Sequence, residues 1–77
     1  MNKVSKYRKF KGYTQGEMAE MLEISLQSYS RKELDKVPFS DDEKVFLLNL
    51  FIDEFPNLTI DELFFNQKVP KVVRGVK

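Results

Sequence analysis

The chain has 77 residues, 42% of them hydrophobic, and a formal net charge of +1, which suits one compact domain. It contains no cysteine and no histidine, so we expect no disulfide bond, no zinc site and no cofactor. The longest apolar run, residues 45–52, is interrupted by Asn49 and is far shorter than the ~20 residues that span a membrane. We therefore expect a soluble cytoplasmic protein with no membrane partner.

The charges are unevenly distributed along the chain. Residues 1–36 carry eight Lys/Arg and five Asp/Glu, residues 37–65 carry one Lys and seven acids, and residues 66–77 carry four basic residues and no acid. Proteins that bind nucleic acid often separate charge in this way, with a basic face toward the phosphates. A polarised solvated surface explains the same distribution, so charge alone assigns no function.

The first two predicted helices are bounded by capping residues. Helix 1 is predicted from about Asn2, a candidate N-cap, to Phe10, and Gly12 suits the left-handed position after a helix. Helix 2 begins after Thr14, which has capping-box spacing to Glu17. Apolar spacing predicts an inward face made of Val4 and Tyr7 in helix 1 and of Met18, Ala19 and Leu22 in helix 2.

Three more helices follow, so the predicted fold class is all-α. Ser25 is the predicted N-cap of helix 3, which continues to about Leu34. Ser40 opens helix 4 in a second capping box, and Thr59 caps a short fifth helix. The predicted inward residues of helix 4 are Val45, Leu48, Ile52 and Phe55.

Helices 2 and 3 meet the demands of a helix-turn-helix, in which the second helix lies in the DNA major groove. A small residue is needed where the helices cross, an apolar residue in the turn and a large anchor beneath helix 3. Ala19, Ile24 and Tyr29 stand at these positions. Polar side chains then follow the opposite face of helix 3, at Gln27, Ser30 and Arg31.

Residues 12–33, with the sequence GYTQGEMAEMLEISLQSYSRKE, resemble the phage repressor/Cro-type helix-turn-helix family, also called the Xre family. The resemblance extends over about residues 2–65. It implies a compact five-helix repressor-like domain at residues 1–66, with the helix-turn-helix at about 14–34 and a basic tail at 67–77. The implied function is a bacterial or phage transcriptional regulator, most simply a repressor, that binds double-stranded DNA.

The resemblance also implies roles for individual residues. Gln15 matches a position that binds a DNA phosphate, while Arg8 and Glu33 match an ion pair that ties helix 1 to helix 3. The implied base contacts are Leu26, Gln27, Ser30 and Arg31, and the other implied phosphate contacts are Ser28 and Lys36. An exposed polar side chain with no partner is the alternative for each of these contacts.

Three residues depart from the family pattern. Glu23 occupies the usual turn glycine, and Asp35 replaces a frequent glycine after helix 3. Lys32 stands at a commonly apolar position, so we expect Leu34 to supply the missing contact. These departures bear on the orientation of helix 3.

Helix 4 is apolar nearly all round, which indicates burial on several sides. A second copy is the expected cover, so we predict a homodimer whose two recognition helices read a pseudo-palindromic site. The predicted interface residues are Phe46, Leu50, Phe51, Phe64 and Phe65. The alternative is a monomer in which the tail folds back over them. Three interpretations of the tail stay open: contact with DNA phosphates, contact with the partner subunit, and disorder.

Two other function classes compete with DNA recognition. An enzyme is not expected, because without His or Cys the chemistry would depend on carboxylates or lysines. The acidic pairs Asp41-Asp42 and Asp61-Glu62 stand at helix starts, where the helix dipole explains them. The stronger competitor is a helix-turn-helix that binds another protein or has only weak DNA affinity.

Overall fold

A computed structural model describes residues 2–65 of the chain, and these residues form five helices and no strand. The helices are α1 (Val4–Lys11), α2 (Gln15–Leu22), α3 (Leu26–Glu33), α4 (Asp41–Ile52) and α5 (Ile60–Phe64). The predicted all-α class with five helices is confirmed. The predicted tail at residues 67–77 lies outside the described residues. None of the helices in the described part is long and apolar enough to cross a membrane.

Four helices begin at the predicted hydroxyl N-caps. Thr14 Oγ1 accepts a hydrogen bond from the Glu17 N–H, and the Glu17 carboxylate accepts one from the Thr14 N–H, which completes the capping box. Ser40 opens α4 in the same arrangement, and the hydroxyls of Ser25 and Thr59 cap α3 and α5. Local sequence chemistry thus determines where these helices start.

The start of α1 corrects one prediction. The N-cap is Lys3, one residue after the predicted Asn2, and its side chain makes no capping hydrogen bond. Asn2 Oδ1 instead accepts a hydrogen bond from the Val4 N–H at 3.0 Å. At its other end, α1 stops at Gly12, which adopts the predicted left-handed conformation with φ of 82°.

A single core lies between the helices and includes one residue of the α3–α4 linker. Phe39 of this linker is 5% exposed and stacks edge-on between Tyr29 of α3 and Phe64 of α5. The other buried hydrophobic residues are Val4, Tyr7, Met18, Ala19, Leu47, Phe51, Leu58 and Leu63. Aromatic contacts across the linker therefore hold α3 against the rest of the domain.

The predicted inward face of α4 is wrong at Val45 and correct in part elsewhere: Leu48 and Phe55 pack partly buried against the core, and Ile52 is half-buried. Val45 is 53% exposed, whereas Leu47 and Phe51 are fully buried on the side where α1 and α5 pack. Tyr7 of α1 contacts Phe51 with ring centroids 5.7 Å apart. Because α4 is apolar around most of its circumference, apolar spacing alone does not select the stripe that the neighbouring helices cover.

The burial of α4 and α5 also corrects the predicted dimer interface. Phe51 and Phe64 belong to the core of the subunit and have almost no surface to offer a second copy. Leu50 is partly buried against the same core. Of the predicted interface residues, Phe46 and Phe65 remain exposed, at 39% and 49%.

Candidate nucleic-acid interface

The α2–α3 unit places its shaping residues where the sequence predicted them. A three-residue connection, Glu23 to Ser25, joins the two helices. Ala19 and Tyr29 are buried, and Ile24 packs partly buried against the core. Glu23 has φ of 61°, so a non-glycine residue occupies the left-handed turn position. α2 and α3 pack against each other more extensively than any other pair of helices in the described part.

The outward face of α3 carries the predicted base-contacting residues. Gln27 and Arg31 are exposed and Ser30 is half-buried, and their side chains make no hydrogen bond to any other described residue. Leu26, in the first turn of α3, is 55% exposed. Ser28 is half-buried and Lys36 is exposed, both with side chains that lack a partner among residues 2–65. This face therefore has unused hydrogen-bonding groups.

The inward face of α3 ends in a buried polar junction centred on Glu33. Arg8 donates from Nε to Glu33 Oε2 at 2.7 Å and from Nη2 to Oε1 at 3.2 Å, which forms the ion pair expected from the family resemblance. The Tyr29 hydroxyl donates to Oε2 at 2.7 Å. Arg8 Nη1 also donates to the carbonyl oxygen of Tyr13 at 2.9 Å. This bidentate pair ties α1 to the end of α3.

Gln15 joins the same junction from the start of α2. Its Nε2 donates to Glu33 Oε1 at 2.7 Å, so one amide proton of this predicted phosphate contact is already used within the domain. The side chain is half-buried. Sequence reasoning missed this bond, because the family resemblance implied only a DNA phosphate contact for Gln15. The bond orients the amide group at the N-terminal end of α2.

Burial and hydrogen bonding have opposite effects on the ionisation of the junction. Burial by itself raises the pKa of Glu33, but the hydrogen bonds from Arg8, Tyr29 and Gln15 outweigh it, and the pKa is lowered. The pKa of Arg8 is raised, chiefly by its bond to Glu33. Burial together with the neighbouring Glu33 raises the pKa of Tyr29 far above its ordinary value. The junction therefore holds a carboxylate, a guanidinium and a neutral phenol at neutral pH.

Lys32 makes a second link that the sequence did not reveal. Its Nζ lies 2.7 and 2.9 Å from the two carboxylate oxygens of Glu43, in the first turn of α4. Burial by itself raises the pKa of Glu43, but the hydrogen bonds from Lys32 and Ser40 have the larger effect, so the pKa is lowered. Leu34 is 55% exposed, so the prediction that it replaces an apolar residue at position 32 is wrong. At position 32, the ion pair between Lys32 and Glu43 of α4 takes the place of an apolar contact.

Asp35 closes the C-terminal end of α3. It has φ of 66°, a conformation that aspartate tolerates better than most residues. Its carboxylate accepts hydrogen bonds from the backbone N–H of Asn2 at 2.8 Å and from Asn2 Nδ2 at 2.9 Å. Asp35 thus anchors Asn2 beside the end of α3.

No protein-family model matches this chain, and no match is found among the curated proteins or the solved structures. Within residues 2–65, no group of three or more His, Cys, Asp or Glu side chains is placed to hold a metal ion. The geometry around α3 is therefore the basis for assigning a function.

Proposed function

We propose that this chain is a sequence-specific DNA-binding transcriptional regulator of the repressor-like helix-turn-helix type, with α3 as its recognition helix. One observation carries the proposal: the polar groups on the inward face of α3 are bonded to other residues, whereas the side chains of Gln27, Ser30 and Arg31 on its outward face have no partner among residues 2–65. The bonds of the inward side chains fix the position of α3. The outward polar side chains then remain available to form hydrogen bonds with a polar partner such as DNA.

The dimensions and side chains of α3 fit the major groove. The diameter of an α-helix with its side chains, about 10–12 Å, fits the ~12 Å width of that groove in B-DNA, and the eight residues of α3 span about 12 Å along the helix axis. Arg31 is suited to a bidentate contact with guanine and Gln27 to a bidentate contact with adenine, while Leu26 can touch a thymine methyl group. Ser30 can donate to or accept from a base edge.

Phosphate contacts would position the domain on the duplex. Gln15 is the first residue of α2, where the backbone N–H groups of the first turn have no helical acceptor. Its second amide proton remains unused within the described part, and its bond to Glu33 fixes the direction of the group. Ser28 and Lys36 complete the proposed set of phosphate contacts.

Dimerisation on a pseudo-palindromic operator belongs to the same proposal. The proposed contact residues that keep exposed surface are Phe46 and Phe65, together with the partly buried Leu50, which lies one helical turn after Phe46 in α4. Sedimentation at micromolar concentration tests this part separately. A strictly monomeric species that still binds a single half-site would contradict dimerisation and leave the role of α3 intact.

A second candidate is a helix-turn-helix that binds another protein. The exposed leucines at the two ends of α3, Leu26 and Leu34, favour it, since each is 55% exposed. Gln27→Ala discriminates the two functions. A DNA reader loses preference at one base pair while it remains folded, whereas a protein-binding α3 leaves the preferred DNA sequence unaffected.

Selection of bound sequences from a random DNA pool tests the proposal directly. We expect a recurrent pseudo-palindrome, and an affinity for it that falls steeply between low and moderate salt as phosphate contacts release counterions. No enriched sequence, or a flat response to salt, would contradict DNA recognition. Circular dichroism of the same sample shows whether the domain is folded during the selection.

A further inference from the structure

A cavity of about 310 Å³ lies away from the polar junction, between the end of α4 and the start of α5. Its walls combine an aromatic and apolar part with two carboxylates. The lining residues are Tyr7, Glu54, Phe55, Pro56, Asn57, Leu58 and Glu62. None of these residues belongs to the proposed DNA-reading face.

The hydroxyl of Tyr7 has no hydrogen-bond partner among residues 2–65, although the residue is only 7% exposed and lines this cavity. Buried polar groups are nearly always bonded, so an unbonded phenol at a cavity wall indicates a missing partner. Burial raises the pKa of Tyr7, and the negative charge of Glu62 raises it further, which places that carboxylate near the hydroxyl. A ligand in this cavity would contact both the Tyr7 hydroxyl and the Glu62 carboxylate.

The charge around the cavity favours a cation. Glu54 and Glu62 line it, and Asp53 and Asp61 precede them in the chain. Asp53 is the C-cap of α4, where the helix dipole is already negative, and the last turn of α4 contains no basic residue. Of the two carboxylates in the cavity wall, that of Glu54 pairs with Lys11 at 2.9 Å, and the Lys6 ammonium lies 5.6 Å from the centre of the Tyr7 ring. The Glu62 carboxylate has no partner within the described residues.

The chain itself supplies a segment with the complementary chemistry. Residues 66–77 carry basic side chains at every third position, namely Lys68, Lys71, Arg74 and Lys77, with valines between them and no acid. The described part ends at Phe65, three residues after Glu62 in the cavity wall. Since an extended chain covers about 3.5 Å per residue, Lys68 and Lys71 are within reach of the cavity.

We propose that this cavity is a docking site for a basic side chain of residues 66–77 of the same chain. A lysine ammonium would lie between the Glu62 carboxylate and the Tyr7 hydroxyl, with its aliphatic stem along Phe55 and Leu58. A second copy of the chain that docks through the same surface is a poor occupant, because the carboxylates of the two copies would then face and repel each other. This proposal is independent of DNA binding.

Paramagnetic broadening in the full-length chain tests the proposal. The absence of cysteine means that Val72→Cys creates a unique position for a nitroxide label, seven residues beyond Phe65. We expect selective broadening of the amide signals of Asn57 and Leu58 in the cavity wall. Glu62→Gln should lower the ratio of docked to undocked tail by about two- to fivefold, the range of a partly exposed ion pair. Tyr7→Phe should also weaken the broadening.

Glu20→Gln is the matched control, because Glu20 is an exposed glutamate on α2 whose side chain has no partner among the described residues. It should leave the broadening unchanged. Equal broadening in Glu62→Gln and in the parent chain would overturn the proposal. So would equally strong broadening when ¹⁵N-labelled chains without a nitroxide are mixed with separate nitroxide-labelled chains, because the tail of a second copy would then be the occupant.

Discussion

The two faces of α3 both carry polar side chains but use them in opposite ways. On the inward face, Glu33 accepts hydrogen bonds from three side chains, and Lys32 pairs with Glu43 of α4. On the outward face, Gln27 and Arg31 have no partner in the described part of the domain. The comparison separates residues that orient the helix from residues that are available to a partner, although both kinds look alike in the sequence.

The largest expected effect is on the inward face, where Glu33→Ala leaves the buried Arg8 guanidinium without its counter-charge. Removing one member of a buried ion pair costs about 3–5 kcal/mol, a large part of the stability of a small domain. Urea unfolding followed by circular dichroism measures this loss in the free energy of unfolding.

Arg31→Ala is the control from the outward face, and we expect a change in stability within about 0.5 kcal/mol. If Glu33→Ala and Arg31→Ala destabilise the domain equally, the distinction between the two faces is wrong.

Acid should weaken the same junction by protonating Glu33. Its pKa is lowered in the folded state, so the unfolded chain takes up a proton first as the pH falls. The stabilisation is therefore present at neutral pH and is lost progressively below the ordinary glutamate value of 4.5, through the lowered folded pKa. Glu43 contributes in the same direction.

Thermal unfolding between pH 6 and pH 3 measures this dependence, and Glu33→Gln should flatten it. A midpoint temperature that falls equally in the parent chain and in Glu33→Gln would show that Glu33 does not control the acid response.

A smaller effect is expected for Lys32→Met, which removes the ion pair to α4 but keeps a long apolar stem. Both side chains are slightly exposed, at 16% and 13%, so we expect a loss of about 1 kcal/mol or less. Lys36→Met is the matched control, because the Lys36 side chain has no partner among residues 2–65. A loss of the size expected for Glu33→Ala would mean that this pair, rather than the buried junction, orients α3.

Gln27→Ala, like Arg31→Ala, should change the stability by no more than about 0.5 kcal/mol, because its side chain has no partner among the described residues. Its effect should appear instead in DNA binding, as a relaxed preference at one base pair of the selected site. Melting curves and a binding series over single-base variants measure the two quantities. If Gln27→Ala destabilised the domain and left the base preference unchanged, Gln27 would have a structural role and would not contact a base.

Features that depend on a few neighbouring residues could be predicted from the sequence. The hydroxyls of Thr14, Ser25, Ser40 and Thr59 cap helices as predicted, because capping involves groups within three residues. The left-handed Gly12 follows from the same local chemistry. The pairing of Arg8 with Glu33 was implied by the family resemblance and not by the local sequence.

Features that depend on how helices meet could not be predicted. α4 has several apolar faces, and the packing of α1 and α5 determines which of them is buried. The buried face therefore contains Leu47 and not Val45. The pairing of Lys32 with Glu43 requires the relative position of α3 and α4. The bond from Gln15 to Glu33 likewise requires two helix ends to meet.

The most direct test of the central proposal is the specificity ratio of Arg31→Lys, measured as affinity for the selected DNA site over affinity for a scrambled site. Lysine keeps the charge but lacks the planar fork that contacts guanine. We expect a loss of about 1–3 kcal/mol in specificity with an unchanged salt dependence, whereas Lys36→Gln should lower the salt slope by about one unit and leave the ratio intact. An unchanged ratio in Arg31→Lys would contradict the assignment of the outward face of α3 as a reader of DNA bases.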